Sequence, residues 1–215
     1  ADLLESACSR IERDLAKGVD RGKVKAEAAS AAMSGLRSTT DLEDAAAHAD
    51  LVVEAVPEKI ELKLDIFYRL DRAAGDDTIL ASNTSALSIT EMAASTGRPS
   101  KFIGMHFFNP VHIMKLVEIV RGLETDDGTY AAVEAVAKRM GKETVEVNES
   151  PGFVTSRINA LVGNEAFYML QSGVGSARDI DKALKLGLNH PMGPFEMIDL
   201  VGLDTRLSIL YFLQE

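Results

Sequence analysis

Asp50-Leu51-Val52-Val53-Glu54-Ala55-Val56-Pro57 decides the fold. Its near-continuous run of β-branched and aliphatic residues reads as a strand covered on both faces, the pattern of a parallel sheet. Pro57 ends it, having no backbone donor to give a ladder. A helix is predicted over 58–74, with Ile60, Leu64, Phe67, Leu70 and Ala74 on one face. Gly75-Asp76-Asp77 is a turn, Thr78-Ile79-Leu80-Ala81-Ser82 the next strand, Ser82-Asn83-Thr84-Ser85 a polar loop, and 88–95 a short helix. Lys101-Phe102-Ile103-Gly104-Met105 then reads as a third strand. The alternation implies βαβ units with right-handed crossovers, so the fold class is α/β with a mainly parallel, doubly wound sheet of Rossmann type. Lys115 to Val120 adds a strand, 129–140 a helix ending at Gly141, and Thr144-Val145-Glu146-Val147 a last strand.

Upstream, residues 2–17 read as an amphipathic helix stopped at Lys17-Gly18, with Leu4, Ala7, Ile11 and Leu15 at helical spacing, and 23–34 as an Ala-rich helix ended by Gly35. Downstream the character changes at Ser150-Pro151-Gly152, and only helices follow. One is predicted from Pro151 to Gly173, one opens on the capping-box form Ser176-Ala177-Arg178-Asp179 and runs to Gly187, and an apolar one starts at Phe195 after the rigid loop Asn189-His190-Pro191-Met192-Gly193-Pro194. The predicted division is a dinucleotide-binding domain over 1–150 and the start of a helical domain over 151–215.

The 215 residues carry a net charge of −10, which argues against nucleic acid or an anionic membrane as the main partner. No apolar run approaches the about 18 residues of a spanning helix. Cys8 is the only cysteine, so no intrachain disulfide is possible and a reducing, cytoplasmic setting is expected. No metal site is assigned.

The chemistry centres on Met105-His106-Phe107-Phe108-Asn109-Pro110 and on Glu118, twelve residues after His106. A histidine at a strand's end stands at the rim of a sheet, where open α/β sheets bind ligands. Glu118 is a carboxylate in an apolar strand. One turn-back apart, the two form an oriented general base. The bland alternative is a strand cap and a surface ion pair.

Ser82-Asn83-Thr84-Ser85, His106-Phe107-Phe108-Asn109-Pro110, Pro151-Gly152-Phe153 and His190-Pro191-Met192-Gly193-Pro194 occur in this order. With them the chain resembles the 3-hydroxyacyl-CoA dehydrogenases, closest to the bacterial 3-hydroxybutyryl-CoA branch. The resemblance implies NAD-dependent (or NADP-dependent) oxidation of an (S)-3-hydroxyacyl-CoA to the 3-ketoacyl thioester, or the reverse. It implies His106 as general base, Glu118 as its orienting acid and Ser85 near both nicotinamide and substrate. Glu58, Lys63 and Asn109 match cofactor contacts, and Lys17 and Arg10 match the region that meets the CoA phosphates. A homodimer through the helical domain is expected, as the resemblance also implies. The alternatives are a long-chain β-oxidation member and a catalytically retired structural relative of the lambda-crystallin kind.

Two departures stand out. Ser156 occupies a position where many members carry asparagine, and Asn159, one turn on, is the candidate stand-in. The family's opening strand, glycine-rich turn and first helix are not in the sequence, nor is any GxGxxG; the last helices are absent too. The chain therefore reads as part of a longer enzyme, and alone it is expected to bind NAD poorly.

Overall fold

The computed structural model describes residues 2–214, leaving aside the side chains of Asp2, Thr205, Ser208 and Phe212. Within the apolar ending 209–215, Phe212's side chain and Glu215 thus lie outside the described residues. The chain forms two compact units, residues 1–49 with 73–75, and residues 50–72 with 76–215.

The first unit is helical: α1 (Asp2–Asp20), α2 (Ala26–Gly35) and α3 (Leu42–Ala46). Lys17-Gly18 does not stop α1; the chain turns at Gly22, whose φ of 67° lies in the left-handed region. The short α3 has no apolar periodicity to announce it and exists through its cap: the Asp41 carboxylate accepts from the Asp44 amide at 2.9 Å.

The second unit begins with β1 (Leu51–Glu54), α4 (Ile60–Ala73), β2 (Ile79–Ser82), α5 (Ile89–Ala94), β3 (Phe102–Phe107), β4 (Leu116–Arg121), α6 (Asp127–Arg139) and β5 (Glu143–Asn148). The sheet order follows the chain, β1-β2-β3-β4-β5. The pairs β1–β2, β2–β3 and β4–β5 are parallel, while β3 and β4 run antiparallel. The expected Rossmann-like, mainly parallel sheet is present, with the antiparallel step where the chain doubles back after Asn109-Pro110.

Side chains alternate across the sheet. Ile103, Met105, Val117 and Ile119 share one face with Ala81 and with Val133 of α6, forming a sealed cluster. Gly104, His106, Glu118 and Val120 share the other face. Gly104 is required there: a Cβ would stand 2.8 Å from Val120 Cβ and 2.9 Å from Ile89 Cδ1. Phe67 packs edge-on against Phe102 at 4.5 Å between centroids, tying α4 to β3.

Helices alone follow: α7 (Thr155–Gln171), α8 (Ala177–Gly187), α9 (Pro194–Val201) and α10 (Leu203–Gln214). The first starts at Thr155 rather than at Pro151, because Gly152 (φ 72°) and Phe153 (φ 51°) turn the chain through left-handed conformations first. A bulky residue there is strained, and the conformation is held by the packing described below. The helix expected from Phe195 onward is broken at Gly202, whose φ is 99°. Of the capping box expected at Ser176, the N-cap half forms: the hydroxyl accepts from the Asp179 amide at 3.1 Å, while the Asp179 carboxylate accepts from that hydroxyl at 2.6 Å and not from the Ser176 amide. Among the described residues no helix is long and apolar enough to cross a membrane.

Candidate active site

β3 and β4 pair in a register that sets His106 directly opposite Glu118. Cross-strand partners stand on the same face within side-chain reach. The imidazole Nδ1 lies 2.7 Å from Glu118 Oε2, and the two side chains are 7% and 0% exposed. The twelve-residue spacing is thus a ladder contact, and the surface ion pair entertained above is excluded by burial. Rings cover the imidazole: Phe108 at 4.6 Å and Phe153 at 5.8 Å between centroids. The strained Phe153 is therefore part of the site's wall.

Glu118 has a second set of partners. The Thr155 amide donates to Oε1 at 3.0 Å and the Thr155 hydroxyl donates to Oε2 at 3.0 Å. Thr155 is the first residue of α7, so the carboxylate caps that helix from a neighbouring strand, at the positive end of its dipole. Burial pushes the Glu118 pKa up, but the hydrogen bonds from His106 and Thr155 outweigh it and hold the carboxyl below its ordinary value. An anionic Glu118 accepts the proton on Nδ1, which leaves Nε2 as the ring's free acceptor. Nε2 has no hydrogen-bond partner among the described residues. Arg206 Nε is the one sealed-in, unpartnered side-chain nitrogen or oxygen among the described residues. Nε2 therefore keeps contact with solvent.

The carboxyl ends of β1, β2 and β3 meet at one edge of the sheet, and a polar network links the first two. Glu54, closing β1, accepts from Lys63 Nζ at 2.7 Å and from the Ser82 hydroxyl at 2.6 Å. Lys63 is 1% exposed and also reaches Val56 O and Glu58 Oε2, both at 3.3 Å. The ammonium thus has two hydrogen-bond acceptors and a second carboxylate within ion-pair distance. Glu58 Oε1 receives the Thr84 hydroxyl at 2.5 Å and the Ser85 amide at 2.8 Å. Asn83 Oδ1 accepts from the Phe107 amide at 2.9 Å, fastening the 82–85 loop to β3 beside His106.

Of the residues singled out in the sequence, His106 and Glu118 touch, and Glu58, Lys63 and Ser85 share the second network. Asn109 is exposed just past β3. Ser156 and Asn159 are half-buried on the first turns of α7. Asn159, with Thr155, Ile158, His190, Met192 and Met197, lines an open cavity of about 350 Å³. Arg10 and Lys17 belong to the first unit, where both are exposed and Lys17 Nζ stands 3.4 Å from Asp14. Glu54, Asn83, Thr84 and Thr155 were not anticipated. Glu54 had a signal, an acid inside the clearest apolar run. Thr155 had none, since its role depends on a turn that brings it to β4.

A dinucleotide needs acceptors for ribose hydroxyls at the carboxyl edge of the sheet. Glu58, 41% exposed on its side chain with its carboxylate pinned by Thr84, Ser85 and Lys63, offers such an acceptor. The residues present fit the group.

Residues 1–150 match the family model for the 3-hydroxyacyl-CoA dehydrogenase NAD-binding domain, and residues 152–215 match the model for the same family's C-terminal domain. The first identifies NAD as the cofactor. The chain is 44% identical over 215 residues to a 3-hydroxybutyryl-CoA dehydrogenase of Bradyrhizobium diazoefficiens, covering 100% of this chain and 73% of that protein. It is 46% identical over 207 residues to one of Clostridioides difficile, covering 96% and 73%. The crystal structure of (S)-3-hydroxybutyryl-CoA dehydrogenase from Ralstonia eutropha superposes with a TM-score of 0.94 at 42% identity, covering 98% of this chain and 74% of that one. The chain is a member of the 3-hydroxyacyl-CoA dehydrogenase family.

Proposed function

We propose that this chain oxidises (S)-3-hydroxybutyryl-CoA to the 3-ketoacyl thioester, or runs the reverse, with His106 as the general base. The observation that carries this is the buried 2.7 Å contact between Nδ1 and Glu118 Oε2, which leaves Nε2 free to accept a proton. Bound NAD supplies the hydride acceptor. As the hydride leaves the substrate carbon, Nε2 takes the hydroxyl proton, so no free alkoxide has to form near neutral pH. A positioned base of this kind is worth about 10²–10⁴ in rate. Glu118 holds the ring's tautomer and stabilises the imidazolium. The Ser85 hydroxyl holds the reacting oxygen. Glu58 and Asn109 contact the cofactor, and Lys63 acts through Glu58. Ser156 or Asn159 meets the substrate carbonyl, and Lys17 and Arg10 meet the CoA phosphates.

The division near residue 150 and a homodimer through the helical part belong to the same proposal. Ile158, Leu200, Leu203 and Tyr211 on α7, α9 and α10 are each at least 60% exposed, which supports an apolar interface there. A cytoplasmic setting fits Cys8 as the single cysteine.

The test is the full gene product with acetoacetyl-CoA and NADH, followed at 340 nm. His106→Gln is expected to abolish turnover without unfolding the protein. A variant that keeps more than about a tenth of wild-type kcat/KM removes His106 from the chemistry.

A further inference from the structure

Thr155 is the residue of α7 that reaches the His106–Glu118 pair, and it does so twice. Its amide fixes Glu118 Oε1, and its hydroxyl lands on Oε2, the oxygen that already holds His106 Nδ1. The two donors share one acceptor oxygen. A hydroxyl that donates to a carboxylate draws charge from it and weakens its pull on other protons. The amide caps the first turn of α7 through Oε1, and the hydroxyl is a separate contact, on the oxygen that faces the imidazole.

We propose that the Thr155 hydroxyl is a positioning group that sets the basicity of His106 by competing with it for Glu118 Oε2. With the hydroxyl in place, the imidazolium is less stabilised than a free carboxylate would make it, and Nε2 returns its proton more readily. Thr155 also lines the cavity beside α7.

Few other charges reach the pair. The residues flanking His106 on β3 are Met105 and Phe107, and those flanking Glu118 on β4 are Val117 and Ile119. The β5 residue in register with Glu118 is Val145. From the turn before α7 comes the Phe153 ring, and Arg157 on α7 donates instead to the Ser150 hydroxyl at 3.0 Å. From α5, Ile89 packs on this face of the sheet at Gly104. Among the described residues, then, Glu118 is the one titratable partner of His106, and Thr155 the one group that adjusts it.

The proposal rests on His106 being the base, and two readouts separate its failure from failure of that reading. The first is the His106 ring titration by NMR in the cofactor-free full gene product, with the signal assigned by its absence in His106→Gln. The second is the pH profile of kcat/KM. Thr155→Val is expected to move both midpoints upward by about 0.3–1 unit, the size of one charge-assisted hydrogen bond withdrawn from a shared oxygen. Thr155→Ser, which keeps the hydroxyl, is expected to overlay the wild type. Should the valine variant not fold, Thr155→Ala removes the same hydroxyl and is expected to shift the same way. Midpoints unmoved in a folded hydroxyl-free variant, or moved equally in Thr155→Ser, overturn the proposal. An NMR shift without a change in the rate profile upholds the tuning and sinks His106 as the base.

Discussion

Replacing Glu118 by glutamine tests the centre of the site, because the structure dictates what the amide must do. The carboxylate accepts three protons: His106 Nδ1 and the Thr155 hydroxyl on Oε2, and the Thr155 amide on Oε1. Glutamine keeps one acceptor oxygen. If that oxygen faces the Thr155 amide, the new NH₂ faces Nδ1, which must then accept, and the ring proton moves to Nε2, where the base should be. If the amide is flipped, two N–H donors confront each other at the start of α7. In both cases the charge that stabilises the imidazolium is gone. The expected loss in kcat/KM is about 10²–10⁴, or roughly 2.7–5.4 kcal/mol of transition-state stabilisation. The assay is NADH oxidation with acetoacetyl-CoA at 340 nm, with circular dichroism to establish that the variant is folded. A folded Glu118→Gln enzyme within tenfold of wild type refutes the reasoning. Stability has its own sign. The Glu118 carboxyl is held below its ordinary 4.5, so near that pH the unfolded chain binds more protons than the folded one. Its contribution is complete above about 4.5, shrinks as the pH falls from there through the folded value, and is gone below it. Urea midpoints of wild type are therefore expected to drop relative to Glu118→Gln on acidification below about pH 4.5, and to track it above. Parallel curves across the range contradict that.

Lys63→Met leaves Glu54 buried without a counter-charge, and unfolding is expected to become easier by about 3–5 kcal/mol, with Lys63→Met/Glu54→Gln recovering most of it. A double variant no more stable than the single one in urea refutes the pairing. At Gly193 a Cβ would stand 2.3 Å from Asp181 Cγ, and Asp181 is pinned by the Phe195 and Glu196 amides at 2.8 and 3.1 Å. Gly193→Ala is expected to cost about 1–3 kcal/mol by the same method; an unchanged midpoint shows that Asp181 yields freely. Ser156→Ala is expected to lower kcat/KM in the dehydrogenase assay, and full retention removes Ser156 from the site.

The sheet was legible because each strand carries its signal locally. Ile79–Ser82 and Phe102–Phe107 are runs whose burial matches their composition. Leu51–Glu54 is not covered on both faces as its composition predicts: it ends the sheet order, Val53 is exposed, and its one buried residue is Glu54, paired with Lys63. The antiparallel step was foreshadowed by Asn109-Pro110, and the hairpin it creates is what joins His106 to Glu118. What the sequence hid was non-local or stereochemical. α3 depends on one Asp41 cap rather than on periodicity, the α9–α10 break on the conformation of Gly202, and the delayed start of α7 on Phe153 adopting a left-handed φ. The resemblance matches Lys63 to a cofactor contact, but the side chain is buried against Glu54, and no spacing announces an acid that approaches from β1. Thr155 stayed invisible for the same reason: its partner lies 37 positions away.

Because His106 and Glu118 are bonded rungs of one antiparallel ladder, their separation is set by backbone pairing and not by the intervening residues 108–115. Lengthening that connection at the exposed residues around Val111 should leave the dyad in tune. Adding a single residue between Phe102 and His106 would be ruinous, since it turns the imidazole over to the side occupied by Val133 and Tyr130, where no acid waits. Mutational tolerance in this hairpin is thus expected to be sharply divided, permissive at the tip and absolute in the stem.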